Sequence, residues 1–381
     1  MAMIFSMRGP TGLAGGFYDR PGRHERHPEY RGRRYNGRVS LTLFTSDRFA
    51  DHLTPPGHPE RVERAGFMQA VAGEFRMKGG EVLEPRSATD AELALVHDVE
   101  YVTMIRETAG RAVALDADTF TSPDSYEVAR LAAGAAISAV EHVIKAGKGA
   151  RALALVRPPG HHAERNKAMG FCLFNSIAVA AAVARSRGLS RVAIVDYDVH
   201  HGNGTQHSFY SDHSVLFISS HQYPYYPGTG AADEIGSAAG RGFTINLPLV
   251  AGATDADYDR VYTQIAWPVL RQFKPELILL SAGFDAYQDD PLGGMRMTAA
   301  GFERLTAALV DVAEQVCGGR VAAVVEGGYD ATGLSDGLRA AIRALSGDSR
   351  LASLPAPSGP TPRGDATIAA LRPHLAAHWT L

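Results

Sequence analysis

The densest group of residues that could do chemistry lies at positions 196–205, where the sequence reads DYDVHHGNGT. Asp196, Asp198 and His200 follow the apolar run 192–195 at a spacing of two, and a β-strand sends every second side chain to the same face. Ionisable groups on a buried face need a cation or a proton network to neutralise them. For a lone triplet, a polar surface turn is the alternative. The apolar run and further motifs downstream favour a strand that delivers metal ligands.

Three more motifs follow apolar runs and carry reactive side chains. They read RPPGHHA at 157–163, SAGFD at 281–285 and EGGY at 326–329. Adjacent histidines taken alone are more often capping or core residues, and a tyrosine after two glycines is often a turn aromatic that packs on the core. Their positions after predicted strands, beside the metal peptide, favour catalytic roles.

The elements that must position these motifs alternate from about residue 125 onward. Strands are predicted at 152–156, 191–196, 214–219, 243–248, 276–281 and 320–325, and helices at 125–146, 174–187, 255–273, 298–316 and 333–345. Apolar strands with helices between them are typical of α/β proteins with an open, mostly parallel sheet and helices on both faces. Ligands bind beyond the carboxyl ends of such strands, so the four motifs should share one crevice.

Charge and cysteine content narrow the class of protein. The chain has 381 residues and a formal net charge of −3, which gives no general attraction to nucleic acid or to an anionic membrane. The sequence shows no apolar run near the roughly 20 residues of a membrane span and no secretory pattern at its start, so we expect a soluble, cytoplasmic protein. The chain has only two cysteines, Cys172 and Cys317, which are too few for a thiolate metal site, so we expect any metal to be bound by oxygen and nitrogen ligands.

Composition predicts three segments. Residues 1–40 are rich in arginine, but acidic residues dilute the charge, which favours a solvated or oligomer-contacting segment over a phosphate-binding arm. Residues 41–348 form the predicted catalytic domain. Residues 349–381 are predicted to pack on that domain, as a linker to 366 followed by a short helix from 367 to 379.

Together with GFC at 170–172 and DPLGG at 290–294, the four motifs closely resemble the histone deacetylase and acetylpolyamine amidohydrolase family over roughly residues 50–345. The Asn at position 203 resembles the pattern of the class II branch, since the class I pattern has Asp at this position. We expect a bacterial protein. The resemblance implies the open α/β sheet that deacetylases share with arginases. It also implies an enzyme that hydrolyses acetyl amides of long alkylamines.

The resemblance implies a catalytic metal and a second cation. Asp198, His200 and Asp285 would hold one Zn²⁺, and three protein ligands leave a position open for water and substrate. Zinc lowers the pKa of bound water from about 15.7 to about 7, so an amide can be attacked at neutral pH. A structural K⁺ is implied at a set of residues that overlaps the first, namely Asp196, Asp198, His200, Ser219 and Ser220.

The family's proton-transfer residues correspond to His161 and His162, oriented here by Asp196 and Asn203 respectively. A carboxylate partner raises the basicity of an imidazole while an amide only orients it, so the two histidines should differ in pKa. Tyr329 stands where the family places the donor to the oxyanion.

The substrate tunnel is implied by resemblance alone. Phe171 and Tyr226 match the two aromatics that line it, although Phe is more usual at the second position, and Gly170 and Leu292 lie in the same motifs. Asp118 aligns with the rim aspartate that holds substrate backbone amides. An ordinary loop carboxylate is the alternative for Asp118.

Two other functions use related features. A ureohydrolase of the arginase type binds two manganese ions and needs a second carboxylate two residues beyond Asp285, where this chain has Tyr287. A non-catalytic acyl-lysine binding module would not need the complete set of ligands, histidines and Tyr329. The sequence leaves open whether the substrate is acetyl-lysine in a protein, an acetylpolyamine or another acyl amide. It also leaves open whether the physiological metal is zinc or iron and whether the protein forms a homo-oligomer. We expect no direct binding to nucleic acid.

Overall fold

The computed structural model of the protein describes residues 39–381, so the prediction for the arginine-rich segment 1–40 lies almost wholly outside the described residues. The strands are β1 Ser40–Phe44, β2 Glu81–Leu83, β3 Val113–Ala114, β4 Phe120–Thr121, β5 Ala150–Ala154, β6 Val192–Asp196, β7 Val215–Gln222, β8 Thr244–Leu249, β9 Leu277–Ala282 and β10 Val321–Val325. The helices are α1 Glu63–Met77, α2 Asp90–Leu93, α3 Val99–Arg106, α4 Ser125–Ala146, α5 Ser176–Ser186, α6 Asn203–Phe209, α7 Asp255–Val261, α8 Trp267–Phe273, α9 Ala299–Cys317, α10 Ala331–Ser346 and α11 Pro362–Leu375.

Eight of these strands form one sheet in the order β2-β1-β5-β10-β9-β6-β7-β8. Every neighbouring pair in it is parallel. The predicted open, mostly parallel α/β sheet is therefore confirmed. β3 and β4 form a separate antiparallel pair.

Side chains of each central strand point alternately into two cores, one on each face of the sheet. On β6, Ala193 and Val195 pack in the core that contains residues of α7 to α10, while Val192 and Ile194 pack in the core that contains residues of α4 and α5. This explains why the strands read as continuous apolar runs: both faces are covered by helices.

Most predicted boundaries lie within three residues of those observed, and α4 matches its prediction at both ends. The predicted helix 255–273 runs from α7 to α8 through a π-helical turn at Tyr262–Ala266. The elements before residue 125 (β1 to β4 and α1 to α3) and the short helix α6 were not predicted. No helix within residues 39–381 combines the length and hydropathy that a bilayer span requires.

The predicted linker up to residue 366 is too long, because α11 begins at Pro362. Proline suits the first turn of a helix, since its fixed φ is helical and its missing N–H has no partner there. The backbone N–H groups of Arg363 and Gly364 donate to Oδ1 of Asp257, at 3.1 and 2.9 Å. These bonds tie the start of α11 to α7. The division of the chain into domains stays a prediction.

Candidate active site

The four motifs meet at one edge of the sheet. β6, β9 and β10 are neighbours, and Asp196 at the end of β6 lies in register with Ser281 near the end of β9. Val325, which ends β10, pairs with Ala282 of β9. The segments that follow these strands and β5 therefore emerge side by side, as parallel topology requires.

Asp198, His200 and Asp285 form a buried cluster whose ligand atoms all lie within 4.8 Å of one another. Nδ1 of His200 is 3.2 Å from Oδ1 of Asp198 and 3.2 Å from Oδ2 of Asp285. β6 ends at Asp196, as predicted, so the two-residue spacing of a strand that was expected to orient Asp198 and His200 does not extend to them. The chain then turns, and the N–H of Asp198 donates to Oδ1 of Asp196 at 3.0 Å while the N–H of His200 donates to Oδ1 of Asp198 at 2.9 Å.

This cluster fits a divalent cation held by nitrogen and oxygen. Burial and the charge of Asp198 raise the pKa of Asp285 to about 7, a repulsion that a bound cation would relieve. The backbone N–H of Val199 donates to Oδ1 of Asp285, and that of Gly327 donates to Oδ2 of Asp198, each at 2.8 Å. A Cβ at Gly327 would lie 2.0 Å from Oδ2 of Asp285, so only glycine allows this approach.

His161 and His162 lie beside the cluster with ring centroids 4.1 Å apart. Nδ1 of His161 donates to Oδ2 of Asp196 at 3.0 Å, and Nδ1 of His162 donates to Oδ1 of Asn203 at 2.8 Å. Burial acts to lower the pKa of His161, but the charges of Asp198 and Asp196 outweigh it and raise the pKa to about 10. Burial and the neighbouring charged histidines hold the pKa of His162 well below its usual value.

Tyr329 is buried at the end of the turn that follows β10. Its ring meets that of Phe171 edge to face, with centroids 5.7 Å apart. Burial raises the pKa of the Tyr329 hydroxyl well above its usual value, so the group stays protonated at neutral pH. A protonated phenol can donate a hydrogen bond to a developing negative charge.

Aromatic rings surround the entrance to this crevice. The ring of Tyr226 lies 5.2 Å from that of His162, and the ring of Phe171 lies 4.7 Å from that of His58. Tyr225 stacks on His200 at 5.7 Å with 20° between the planes, a contact that the motifs did not indicate. The structure thus brings both predicted tunnel aromatics to the site.

Gly170 lies next to His162 of the site, and the backbone N–H of Leu292 donates to Oδ1 of Asp290 at 2.9 Å. Gly170 has φ 55°, and a Cβ there would lie 2.4 Å from Cδ2 of His162. Leu292 is half-buried next to Pro291, which with Tyr329 lines a cavity of about 520 Å³. A side chain at 170 would therefore displace a histidine of the site.

Asp118 is half-buried, and its backbone carbonyl accepts a hydrogen bond from Nε2 of His58 at 2.9 Å. Its Oδ1 accepts from Oγ1 of Thr119 at 3.0 Å, and that hydroxyl oxygen accepts from the N–H of Phe171 at 3.1 Å. Burial and then the charge of Asp118 raise the pKa of Tyr226. These contacts place Asp118 beside the aromatic entrance.

The residues predicted for a monovalent cation lie on the two neighbouring strands β6 and β7 and the loop after β6. Asp196 pairs in register with Ser219, whose Oγ is 3.0 Å from Nδ1 of His221. Oγ of Ser220 is 2.8 Å from the hydroxyl of Tyr262. The cation site itself stays a prediction.

A comparison with known protein families identifies the family of this chain. Residues 56–345 match the family described as the histone deacetylase domain. The chain belongs to the histone deacetylase family. This match covers the four motifs and every element that carries the cluster.

Members of the histone deacetylase family from distant organisms are similar to the chain. Histone deacetylase 15 of Arabidopsis thaliana is 38% identical over 353 residues, which cover 88% of this chain and 62% of that protein. The crystal structure of the HDA15 HD domain has a TM-score of 0.82 at 36% identity, covering 90% of this chain and 95% of that domain.

Two further relatives carry different names. The histone deacetylase-like amidohydrolase of Pseudomonas aeruginosa is 43% identical over 285 residues, covering 74% of this chain and 73% of that protein. Polyamine deacetylase HDAC10 of Homo sapiens is 39% identical over 355 residues, covering 88% of this chain and 52% of that protein. The family therefore includes relatives named for histone and for polyamine substrates.

Sequence reasoning gave no role to two buried carboxylates of this family member. Oε2 of Glu326 accepts from the N–H groups of Gly160 and His161, at 2.6 and 3.1 Å, and so anchors the histidine segment. Oδ2 of Asp290 accepts from the N–H of Tyr329 at 2.7 Å. Both lie within the motifs EGGY and DPLGG, and the position of Glu326 directly after β10 is a signal that could have indicated its role.

Proposed function

We propose that the protein is a zinc-dependent amidohydrolase that removes acetyl groups from N-acetylated long-chain amines, such as acetyl-lysine or an acetylpolyamine. One observation carries the proposal: the buried cluster of Asp198, His200 and Asp285 lies beside the histidine pair. Family membership supports an enzyme that acts on acetylated amides. The metal and the substrate are the parts that we propose.

Asp198, His200 and Asp285 would hold the Zn²⁺, which when bound supplies Lewis acidity and lowers the pKa of a bound water. His162 is neutral, and its Nδ1 is engaged with Asn203, so its Nε2 is the nitrogen that can accept a proton. His161 carries the proton that its carboxylate neighbours favour. A base and an acid thus lie side by side, as hydrolysis of an amide requires.

Tyr329 would donate its hydroxyl hydrogen to the substrate carbonyl oxygen as negative charge develops there. The aromatic entrance between Phe171 and Tyr226 favours a slender alkyl chain over a branched group. A long amine with its acyl group at the tip fits this entrance.

We further propose one catalytic ion per chain, a structural K⁺ at the β6–β7 site and a cytoplasmic location. The chemistry of the cluster supports the first, since three ligands without a thiolate suit one zinc ion. The other two rest on the family resemblance and on the sequence.

The decisive experiment combines acetate release with metal analysis of the purified protein. Acetyl-lysine peptides, N-acetylputrescine and N-acetylspermidine are supplied separately, and we expect acetate from at least one of them with one zinc per chain. Two catalytic ions with urea release from guanidino substrates would instead support a ureohydrolase. Binding of acetyl-lysine without acetate release would support a binding module.

A further inference from the structure

Glu60 is a fully buried carboxylate that no motif assigned. It accepts two hydrogen bonds from Arg157, Nε to Oε1 at 2.9 Å and Nη2 to Oε2 at 2.8 Å. It also accepts from Nη1 of Arg64 at 2.9 Å. Burial acts to raise the pKa of Glu60, but the charges of Arg157 and Arg64 outweigh it and lower the pKa to about 2. The carboxylate is therefore ionised and fixed by two guanidinium groups.

Arg64 connects this carboxylate to the turn that carries Tyr329. Its Nε donates to the carbonyl of Gly328 at 2.8 Å, and its Nη2 donates to the carbonyl of Glu326 at 2.6 Å. Its guanidinium carbon lies 5.0 Å from the centre of the Tyr329 ring. One planar group thus holds both the backbone before the tyrosine and its aromatic face.

The same turn is held from the other side by Asp290, which accepts from the N–H groups of Tyr329 and Asp330 at 2.7 and 3.0 Å. Donors from Arg64 and an acceptor from Asp290 leave this turn little freedom. The hydroxyl at the end of the ring is placed by these contacts.

Stability alone does not explain three charged groups that are each at most 1% exposed. A buried ion pair is often matched or exceeded in stability by apolar residues of similar volume. Apolar residues cannot donate hydrogen bonds to the two carbonyls of the Tyr329 turn. The directional contacts are what the charged group adds.

We propose that Glu60 is a positioning residue for the reaction: it fixes the Arg64 guanidinium and, through it, the Tyr329 hydroxyl. This inference rests on the proposed function, since it assigns the tyrosine a role in turnover. Without the carboxylate, the Arg64 fork loses its anchor and the turn can shift. A shift of about 1 Å at a reacting group can cost on the order of 10²-fold in rate.

The test is a double-mutant cycle on an acetylated substrate that the wild type hydrolyses. We expect Glu60→Gln to lower kcat by roughly 10- to 100-fold while KM changes less than about twofold. In the Tyr329→Phe background the same change should lower kcat less than about threefold, because the group that it positions is already missing. Zinc content should remain at the wild-type value.

Glu74→Gln is the matched control. Glu74 lies on α1, as Arg64 does, and accepts a two-pronged bond from Arg339 at 2.6 and 2.9 Å, but it does not contact the Tyr329 turn. Its loss should leave kcat unchanged. If Glu60→Gln does not fold, Arg64→Lys replaces it, because lysine keeps the charge beside Glu60 but cannot bridge both carbonyls.

An equal kcat loss with and without the Tyr329 hydroxyl would overturn the inference, since the carboxylate would then act through Arg157 and the histidine segment. A change confined to KM would overturn it as well. Failure of the proposed function looks different, because the wild type itself would then release no acetate from any of the acetylated amines.

Discussion

The imidazole of His161 donates to the buried carboxylate of Asp196 at 3.0 Å, while the adjacent His162 donates to the amide of Asn203 at 2.8 Å. The amide is oriented by its own donor, since Nδ2 of Asn203 bonds Oε1 of Glu164 at 2.7 Å. Two neighbouring histidines therefore have partners of different charge, and their pKa values move in opposite directions. Such a separation is how a site obtains an acid and a base from one residue type.

Asp196→Asn should lower turnover at pH 7 by roughly 10- to 100-fold, the range seen when partners of metal-site histidines are lost. The physical reason is that an amide cannot stabilise a charged His161. The variant keeps Oδ1 as an acceptor for the N–H of Asp198, so zinc content should stay near one per chain. Profiles of kcat against pH for both proteins check this, and superimposable profiles would contradict it.

Asp285→Ala should lose both bound metal and acetate release, because it removes one of three ligands. The two that remain, Asp198 and His200, are too few to hold the ion. Asp289→Ala is the control, since that exposed carboxylate lies four residues away and outside the cluster. Metal analysis after dialysis measures the outcome. A second catalytic ion in the wild type would revive the ureohydrolase interpretation.

Tyr329→Phe keeps the ring against Phe171 and Arg64 and removes only the hydroxyl. Folding and zinc content should survive, and kcat should fall by roughly 10²- to 10³-fold, as for other losses of an oxyanion donor. Thermal unfolding and steady-state kinetics are measured on the same preparation. Near wild-type turnover would show that Tyr329 only packs on the core.

Features encoded in short stretches of sequence were predictable. α4 was predicted to the residue because its helical apolar spacing is uninterrupted and ends at Gly147, whose φ of 83° suits glycine. The motif residues were predictable because parallel strands bring their carboxyl ends together. Their family roles came from resemblance.

Features that depend on distant partners were not predictable. Arg64 and Glu326 are 262 positions apart, and nothing in either local sequence indicates their hydrogen bond. The two-residue spacing of Asp196, Asp198 and His200 was attributed to a strand, but it fits equally well the turn that follows Asp196. Only the hydrogen bonds of Asp198 and His200 to side chains two residues earlier distinguish them.

His97 should make stability fall as the solution becomes acidic. Its Nδ1 donates to the carbonyl of Glu164 at 2.9 Å and its Nε2 accepts from the N–H of Asn175 at 2.9 Å, which fixes the neutral ring. Burial lowers its pKa from 6.5 to about 4. The unfolded chain therefore binds the proton more readily, so the stabilisation is complete above pH 6.5 and is lost as the pH falls toward 4, up to about 3 kcal/mol.

Urea unfolding of wild type and His97→Gln between pH 7.5 and pH 4.5 measures this effect, and the pH range is chosen from the two pKa values. The variant should lose less stability on acidification, because glutamine does not titrate. His213→Gln, at an exposed histidine, should follow the wild type. Equal acid sensitivity of His97→Gln and the wild type would contradict the prediction.

Asp118 can distinguish the two substrate classes, because it would serve them by different forces. A peptide substrate would donate backbone hydrogen bonds to it, and Asn keeps an acceptor there while Ala does not. Loss of such charge-assisted bonds costs about 1.5 to 3 kcal/mol, or roughly ten- to a hundredfold. A polyamine would instead bring an ammonium group to the carboxylate, so Asn and Ala should be about equally harmful and kcat/KM should fall as salt rises.

We expect the peptide-like pattern, in which Asp118→Asn is partly tolerated and Asp118→Ala is not. The contacts of Asp118 favour it, since asparagine can still accept from Oγ1 of Thr119 and so preserve the link to Phe171. Kinetics of both variants on an acetyl-lysine peptide and on N-acetylspermidine, at low and high salt, decide between the classes. Equal losses with strong salt dependence would assign a polyamine, and no effect on either substrate would remove Asp118 from the site.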